Sequence, residues 1–192
     1  IWLIGAGQMA QSYARVLTAL GRSFQVIGRG PESAKVFSDN LNHPVETGGV
    51  VKALETMGSP DLAIVAVGVA DLAKTAVLLV ESGTNRILLE KPGGLDLSEL
   101  RYLGSIVKSN TCSVFIGYNR RFYASVEKAE ELILNDGGAV SARFEFTEWS
   151  HVIRDLKIEH QIKENWLMAN SSHVIDLAFF MIGKPLELHH RH

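Results

Sequence analysis

Short apolar runs and helical periodicities alternate along the first 117 residues of the chain. The apolar runs predict strands at residues 1–4, 24–27, 62–67, 86–90 and 113–117. Between them, apolar residues recur about every 3.6 positions and predict helices at residues 8–20, 31–41, 71–81 and 97–107. Asp96 precedes the last of these helices and is expected to cap its N-terminus. Because apolar strands that alternate with helices form parallel sheets covered on both faces, we predict an α/β fold with a doubly wound parallel sheet.

The pattern changes after Asn119, where a second domain begins. Helices are predicted at residues 122–134 and 171–182. Between them, residues 140–149 alternate apolar and polar side chains, which is typical of a strand with one face in water. We therefore predict two domains, residues 1–118 and residues 119–192, the second being a partial α+β domain.

Charge and hydropathy exclude several classes of protein. The 19 basic and 21 acidic residues leave a net charge of −2, which gives no general attraction to nucleic acid or to an anionic membrane. No segment approaches the roughly 20 apolar residues that cross a bilayer. We therefore expect no nucleic-acid partner and no membrane partner. Because the chain enters a strand at its first residues, we expect no signal peptide, and the start at Ile1 indicates an N-terminal trim.

The cysteine and histidine content indicates a reducing compartment and no metal site. Cys112 is the single cysteine and cannot form an internal disulfide, which favours a cytoplasmic protein with a buried structural thiol. His43 and His160 lack the spacing of metal ligands, and residues 189–192 are more typical of a basic tail than of a metal site.

A glycine-rich turn, Gly5-Ala6-Gly7-Gln8-Met9-Ala10, joins the first predicted strand to the first predicted helix. The first glycine permits a tight turn, the second lets a pyrophosphate approach the backbone, and the alanine keeps helix and strand close. The helix N-terminus offers N–H groups and the positive end of its dipole to the phosphates. This context predicts a Rossmann-type dinucleotide-binding domain, with a purely structural turn as the alternative. Cofactor contacts are expected from Gly5, Gly7, Gln8, Met9 and, after another strand, Val67.

The end of the second predicted strand indicates which dinucleotide is bound. NAD-binding proteins usually carry an Asp or Glu there, whereas this chain has Gly28 and Arg29. Gly28 removes a carboxylate that would repel a 2′-phosphate, Arg29 supplies a planar donor fork, and Ser33 adds a hydroxyl. We therefore predict NADP as the cofactor, with NAD as the second choice. The alternative is that Arg29 does not contact a 2′-phosphate and instead stacks on adenine or faces solvent.

Glu90-Lys91-Pro92 follows the fifth predicted strand, at the edge of the sheet where ligands bind. A second motif, Tyr118-Asn119-Arg120-Arg121-Phe122, and a third, Ser172-His173-Val174-Ile175-Asp176, come later. With these motifs and the glycine-rich turn, the chain resembles the Gfo/Idh/MocA family of oxidoreductases. The four motifs occur in the family's order and cover nearly the whole chain. The second domain is similar to members associated with sugar-nucleotide and surface-glycan pathways.

The resemblance implies hydride transfer between NADP(H) and the carbinol carbon of a sugar or sugar-nucleotide-like substrate. Lys91 would hydrogen-bond the substrate oxygen and assist proton transfer, and His173 would be its acid–base partner. Glu90 and Lys91 would also contact the cofactor. The remaining substrate contacts are expected from Tyr118, Asn119, Arg120 and Arg121, whose two guanidinium groups suit an anionic substrate.

One position departs from the family's pattern. Where the family carries an Asp four residues before the His, this chain has Ala169, and the neighbouring Asn170 and Ser171 are not obvious bases. Asp176 could orient the imidazole of His173 from the same helix face, or form a cap or a helix pair. The alternative function is therefore a non-catalytic dinucleotide-binding sensor or assembly module, in which Lys91 forms only a salt bridge and His173 a local hydrogen bond.

The resemblance also sets an expectation for the second domain. Family members are usually considerably longer, because their second domain carries a broad open sheet that mediates subunit contacts. We therefore expect a truncated second domain with exposed apolar side chains such as Phe144 and Phe146, and a homo-oligomer formed through that domain.

Overall fold

The computed structural model describes residues 1–187 and residue 189. The chain divides into two compact units, Ile1–Gly117 and Tyr118–His192, which are called here the first and second units. Apart from His189, the expected basic tail at residues 189–192 lies outside the described residues.

The first unit is built on a six-stranded parallel sheet. The strands are β1 (Trp2–Ile4), β2 (Gln25–Gly28), β3 (Val45–Thr47), β4 (Leu62–Val65), β5 (Arg86–Leu89) and β6 (Ser113–Ile116). Their order in the sheet is β3-β2-β1-β4-β5-β6, and all neighbours pair in parallel. This order is that of the Rossmann fold, so the predicted doubly wound parallel sheet is confirmed.

Helices follow most strands of the first unit and cover the sheet. They are α1 (Gln8–Ala19), α2 (Pro31–Leu41), α3 (Gly49–Met57), α4 (Leu72–Glu81) and α5 (Leu97–Lys108). Two clusters of buried apolar side chains result, and β1 contributes to both: Trp2 and Ile4 lie in one cluster and Leu3 in the other. Successive side chains of a strand point to opposite faces, so the sheet is buried on both sides.

Asp96 caps α5 as predicted. Its Oδ1 atom accepts the backbone N–H groups of Ser98 (2.8 Å) and Glu99 (2.9 Å). Cys112 packs at the edge of one core cluster, and burial raises the pKa of its thiol. A raised thiol pKa leaves little thiolate at neutral pH, which fits the predicted structural role.

The sequence patterns missed two elements of the first unit, β3 and α3. β3 is an edge strand of three residues that pairs with β2, and its apolar residue Val45 is only half-buried. A single apolar position gives no run and no alternation, so the pattern carries no strand signal. α3 begins at Gly49, and both Gly49 and the preceding Gly48 have positive φ, so this glycine pair indicates a loop rather than a helix start.

Among the described residues of the second unit, the regular elements are helices. They are α6 (Ala124–Asn135), α7 (Ser150–Asp155), α8 (His160–Glu164) and α9 (Ser172–Ile182), with a 3₁₀ turn at Asn119–Phe122 and a π-helical turn at Leu167–Ser171. The predicted helices at 122–134 and 171–182 are therefore confirmed, whereas α7 and α8 are too short to give a periodic signal.

The predicted strand at residues 140–149, on which the α+β assignment rested, is wrong for the described residues. This segment is not part of a sheet, and its side chains are largely exposed on both faces, with Phe144 47% exposed. A strand is stable only when neighbouring strands satisfy its backbone groups. The alternating pattern is present, but the described chain supplies no second strand for it.

Among the described residues, no helix is both long and apolar enough to span a membrane.

Candidate functional site

A cleft of about 990 Å³ opens in the first unit where the chain's strand order reverses. From β1 the chain proceeds outward to β2 and β3, and from β4 it proceeds outward in the other direction. The crevice at the carboxyl ends of the strands beside such a reversal is where ligands bind in open α/β sheets. The volume is also typical of a pocket for a small ligand.

Seven of the predicted cofactor residues line this one cleft: Gly5, Gly7, Gln8, Met9, Arg29, Ser33 and Val67. They come from three separate connections, after β1, after β2 and after β4. Three other predicted cofactor residues, Gly28, Glu90 and Lys91, are not part of the lining. The structure therefore gathers the predicted contacts of the phosphates and the 2′ position in one cleft, whereas Glu90 and Lys91 do not contribute to its lining.

The two glycines of the turn after β1 meet different demands. Gly5 has a φ of +119°, and a Cβ atom there would lie 2.2 Å from the carbonyl oxygen of Ala66. Gly7 has open space, since no heavy atom lies within 4 Å of the position of a Cβ atom. Gly5 is thus required by the packing of the turn against β4, whereas Gly7 leaves the backbone open to a ligand.

Helix α1 begins directly at the cleft. No described side chain caps its N-terminus at Gly7, and the helix runs for 12 residues. Ala10 is fully buried, so the small side chain keeps the helix close to the sheet. An uncapped helix N-terminus that faces a glycine-lined cleft fits the pyrophosphate of a dinucleotide.

The connection after β2 carries the residues predicted to choose between NAD and NADP. Gly28 is buried, and a Cβ atom there would lie 2.8 Å from Cγ1 of Val45 on β3. Arg29 is exposed, and its Nη1 atom lies 3.2 Å from Oδ2 of Asp71. Asp71 precedes α4 and lines the same cleft. Sequence reasoning missed Asp71, because only the pairing of β2, β1 and β4 brings two residues 42 positions apart together.

Lys91 lies in a turn anchored at both ends. The backbone N–H of Glu90 donates to the carbonyl oxygen of Val65 (2.9 Å), and the N–H of Gly93 donates to that of Glu90 (3.0 Å). Lys91 is the second residue of this four-residue turn, and its side chain is half-buried. The turn is therefore fixed to the sheet on one side and closed by its own hydrogen bond on the other.

The side chain of Glu90 is turned into the protein. It is 8% exposed, and its Oε1 atom accepts the hydroxyl of Tyr13 on α1 at 2.6 Å. Burial, together with the hydrogen bond and charge of Glu90, raises the pKa of Tyr13, so the phenol keeps its proton. Tyr13 was missed by sequence reasoning, since a tyrosine on the apolar face of a helix resembles ordinary core packing.

In the second unit, the 3₁₀ turn Asn119–Phe122 carries most of the predicted substrate contacts. Asn119 is exposed, while Tyr118 and Arg120 are half-buried. Burial raises the pKa of Tyr118. Arg121 is held by Asp176 on α9: its Nε donates to Oδ2 at 2.8 Å and its Nη2 donates to Oδ1.

The pair with Asp176 changes the interpretation of both residues. The hydrogen bond to Asp176 raises the pKa of Arg121, whose guanidinium also lies 4.9 Å from the ring centre of Phe180. Both oxygens of Asp176 accept hydrogen bonds from the arginine, so Asp176 links α9 to the turn that carries Arg121. Within the described part of the chain, no such carboxylate pair holds Arg120.

His173 is the second residue of α9 and lies edge-on to Tyr118, with ring centres 5.8 Å apart. Ala169, one turn earlier, is buried in the π-helical turn. The carboxylate of Glu148 accepts hydrogen bonds from Nδ2 of Asn170 (3.2 Å) and from the hydroxyl of Ser171. The hydrogen bond from Ser171 is the main reason that the pKa of Glu148 is lowered. Glu148 was missed, because it lies in the segment that was predicted to be a strand.

No cluster of three or more His, Cys, Asp or Glu side chains that could hold a metal ion occurs in residues 1–187 or at residue 189.

Known proteins that are similar to this chain also have a dinucleotide-binding fold. Residues 1–89 match the family model described as "NADP oxidoreductase coenzyme F420-dependent". No curated protein matches the sequence. Among solved structures, the WlbA dehydrogenase from Bordetella pertussis, in complex with NADH and UDP-GlcNAcA, superposes with a TM-score of 0.72 at 14% identity, over 95% of this chain and 58% of that one. The chain has the fold of an NAD(P)-binding dehydrogenase.

Two further structures have the same fold. UDP-N-acetylglucosamine 3-dehydrogenase GnnA from Acidithiobacillus ferrooxidans has a TM-score of 0.67 at 19% identity, over 95% of this chain and 54% of that one. GenD2 from gentamicin A biosynthesis, in complex with NAD, has a TM-score of 0.73 at 22% identity, over 96% of this chain and 53% of that one. The chain thus spans little more than half the length of these dehydrogenases.

Proposed function

We propose that the chain is part of a Gfo/Idh/MocA-type oxidoreductase that transfers a hydride between NADP(H) and a carbinol carbon of a sugar or sugar-nucleotide-like substrate. The observation that carries the proposal is the single cleft at the reversal of strand order, which gathers seven predicted dinucleotide contacts. The fold shared with dehydrogenases of sugar nucleotides supports the same conclusion.

The residues of the first unit fit the cofactor group by group. The open backbone at Gly7 and the N-terminus of α1 would hold the pyrophosphate, because both offer N–H donors without a side chain in the way. Arg29 and Ser33 would hold a 2′-phosphate, with NAD as the weaker ligand. When bound, the nicotinamide accepts or donates the hydride.

Lys91 and His173 are the residues proposed to carry the proton chemistry. An ammonium group at Lys91 would hydrogen-bond the substrate oxygen and stabilise negative charge there while the hydroxyl proton leaves. The imidazole of His173 would take up that proton, which suits a group that titrates near neutrality. Glu90 would help to hold the turn that contains Lys91 rather than contact the cofactor, since its carboxylate accepts the hydroxyl of Tyr13.

The second unit is proposed to be part of a substrate and oligomerisation domain. Tyr118, Asn119 and Arg120 would contact hydroxyl and anionic groups of the substrate, whereas Arg121 is already held by Asp176. The exposed side chains of Phe144 and Val140 support an association between copies of the chain, whereas Phe146, which was also expected to be exposed, is half-buried. We place the protein in the cytoplasm because its only thiol is unpaired and structural.

The test is NADPH turnover with a panel of nucleotide sugars and polyols, followed by absorbance at the NADPH band. Lys91→Ala should abolish turnover and change the Kd for NADPH by less than about twofold, because Lys91 does not line the cleft. Lys108→Ala, an exposed lysine at the end of α5, is the matched control and should keep full turnover. Unchanged activity of the Lys91 variant would remove this residue from the mechanism.

A second function, a non-catalytic dinucleotide-binding module, is favoured by two observations. Ala169 is buried and offers no carboxylate, and Asp176 is occupied by Arg121. This function predicts that NADPH binds with no turnover of any substrate in the panel. A substrate-dependent change at the NADPH band would eliminate it.

A further inference from the structure

The adenosine end of the cleft contains a carboxylate that the sequence pattern did not reveal. In dinucleotide-binding folds, an acid at the end of the second strand accepts hydrogen bonds from the ribose hydroxyls, and its absence favours NADP. Here Gly28 occupies that position and could not carry a side chain, because a Cβ atom would collide with Val45. Asp71 supplies the acid from another strand connection and lies 3.2 Å from Arg29.

We infer that Asp71 determines cofactor specificity by competing with the 2′-phosphate for the guanidinium of Arg29. The inference rests on the proposed dinucleotide function of this cleft. Arg29 is 86% exposed and Asp71 45% exposed, so their ion pair is weak and a phosphate dianion can replace the carboxylate. The 2′-hydroxyl of NADH, in contrast, can donate a hydrogen bond to the same carboxylate. Asp71 therefore weakens NADPH binding and leaves NADH binding intact or improves it.

The other charged groups of the cleft are less suited than Asp71 to control cofactor specificity. Its lining contains two carboxylates, Glu32 and Asp71, and two cations, Arg29 and Lys74. Glu32 lies in the first turn of α2, and Asp71 is the carboxylate at hydrogen-bond distance from Arg29. The specificity is therefore assigned to one side chain rather than to the summed charge of the cleft.

The experiment is calorimetric titration of the full chain with NADPH and with NADH. Asp71→Asn keeps the size of the side chain and removes its charge. Removal of a like charge near the phosphate should lower the Kd for NADPH about three- to tenfold. The Kd for NADH should stay the same or rise, so that the ratio of the two constants shifts toward NADPH.

Two variants serve as controls. Asp61→Asn removes the acid of another exposed pair, Asp61 with Arg86, which lies outside the cleft lining, and should change neither Kd. Glu32→Gln removes the other carboxylate of the lining and should shift the ratio much less than Asp71→Asn.

The outcomes separate the inference from the proposed function. If wild-type chain binds neither dinucleotide, both fail. If it binds NADPH but Asp71→Asn leaves the ratio unchanged, or Glu32→Gln shifts it equally, only the role of Asp71 is overturned. A shift confined to Asp71→Asn supports it.

Discussion

The two units of the chain are stabilised in different ways. In the first unit, a parallel sheet buries apolar side chains on both faces, in two clusters. In the described part of the second unit, the buried apolar side chains are Val126 and Ala169. Polar pairs, such as Arg121 with Asp176 and Ser171 with Glu148, order its helices instead. The first unit is therefore stabilised mainly by a buried apolar core, whereas the described part of the second unit has few buried apolar side chains and several specific polar contacts.

The largest effect in the first unit is expected at Gly5, where the turn after β1 packs closely against the backbone of Ala66. Gly5→Ala would put a Cβ atom 2.2 Å from the oxygen of Ala66 at a φ of +119°. We expect the free energy of unfolding to fall by about 3 kcal/mol and NADPH binding to be lost. Thermal unfolding followed by circular dichroism measures the first effect and calorimetry the second.

Gly7→Ala is the matched control, since no heavy atom lies within 4 Å of its Cβ position. It should keep the melting temperature and lose only NADPH affinity. Equal melting temperatures for both variants would show that Gly5 is not held by the packing of the turn.

The second unit is tested most directly at Arg121. Arg121→Ala leaves Asp176, whose side chain is only 13% exposed, without its donor fork. We expect a loss of about 1–2 kcal/mol, reduced by the partial exposure of the arginine. Hydrogen exchange of peptides from α9 should become faster, while Arg120→Ala changes it little. Equal effects of the two variants would contradict the importance of this pair.

A smaller loss of stability is expected from the buried hydrogen bond between Tyr13 and Glu90 in the first unit. Tyr13→Phe removes the donor to the buried carboxylate of Glu90 and should lower the free energy of unfolding by about 1 kcal/mol. Tyr102→Phe, which changes an exposed tyrosine on α5, is the control and should have no measurable effect. A comparable loss in both variants would mean that the hydrogen bond contributes nothing specific.

The smallest effect concerns acid. The hydrogen bond from Ser171 lowers the pKa of Glu148 in the folded chain. Its contribution to stability is therefore complete above the ordinary glutamate pKa of about 4.3 and is lost as the pH falls through the folded value. Hydrogen exchange at residues 167–173 should increase in this range before the first unit unfolds, and Glu148→Gln should remove the pH dependence. Protection that is independent of pH in the wild-type chain would exclude this role.

The same contrast explains what the sequence could predict. Buried strands such as β1 and β4 appear as apolar runs, and the glycine-rich turn indicates where the cleft lies, so the fold class of the first unit and seven lining residues could be predicted, although β3 and α3 could not. Asp71 and Tyr13 could not be found in this way, because their partners Arg29 and Glu90 are distant in sequence and meet only through the strand order.

In the second unit the pattern predicted the wrong element. Residues 140–149 alternate as a strand does, but alternation records only which face is apolar and not whether another strand is present to pair with it. The roles of Lys91 and His173 stay predictions. They rest on the order of the motifs, and the geometry of a single unit does not test a role that needs residues of both units.

The position of Cys112 has a practical consequence. Its thiol is partly buried and burial raises its pKa, so we expect it to react slowly with maleimides at neutral pH. A cysteine introduced at the exposed Val51 would react first, and a fluorophore attached there would lie in the lining of the cleft. The wild-type chain therefore allows selective labelling without removal of its own thiol, and occupancy of the cleft can be followed optically before any substrate is known.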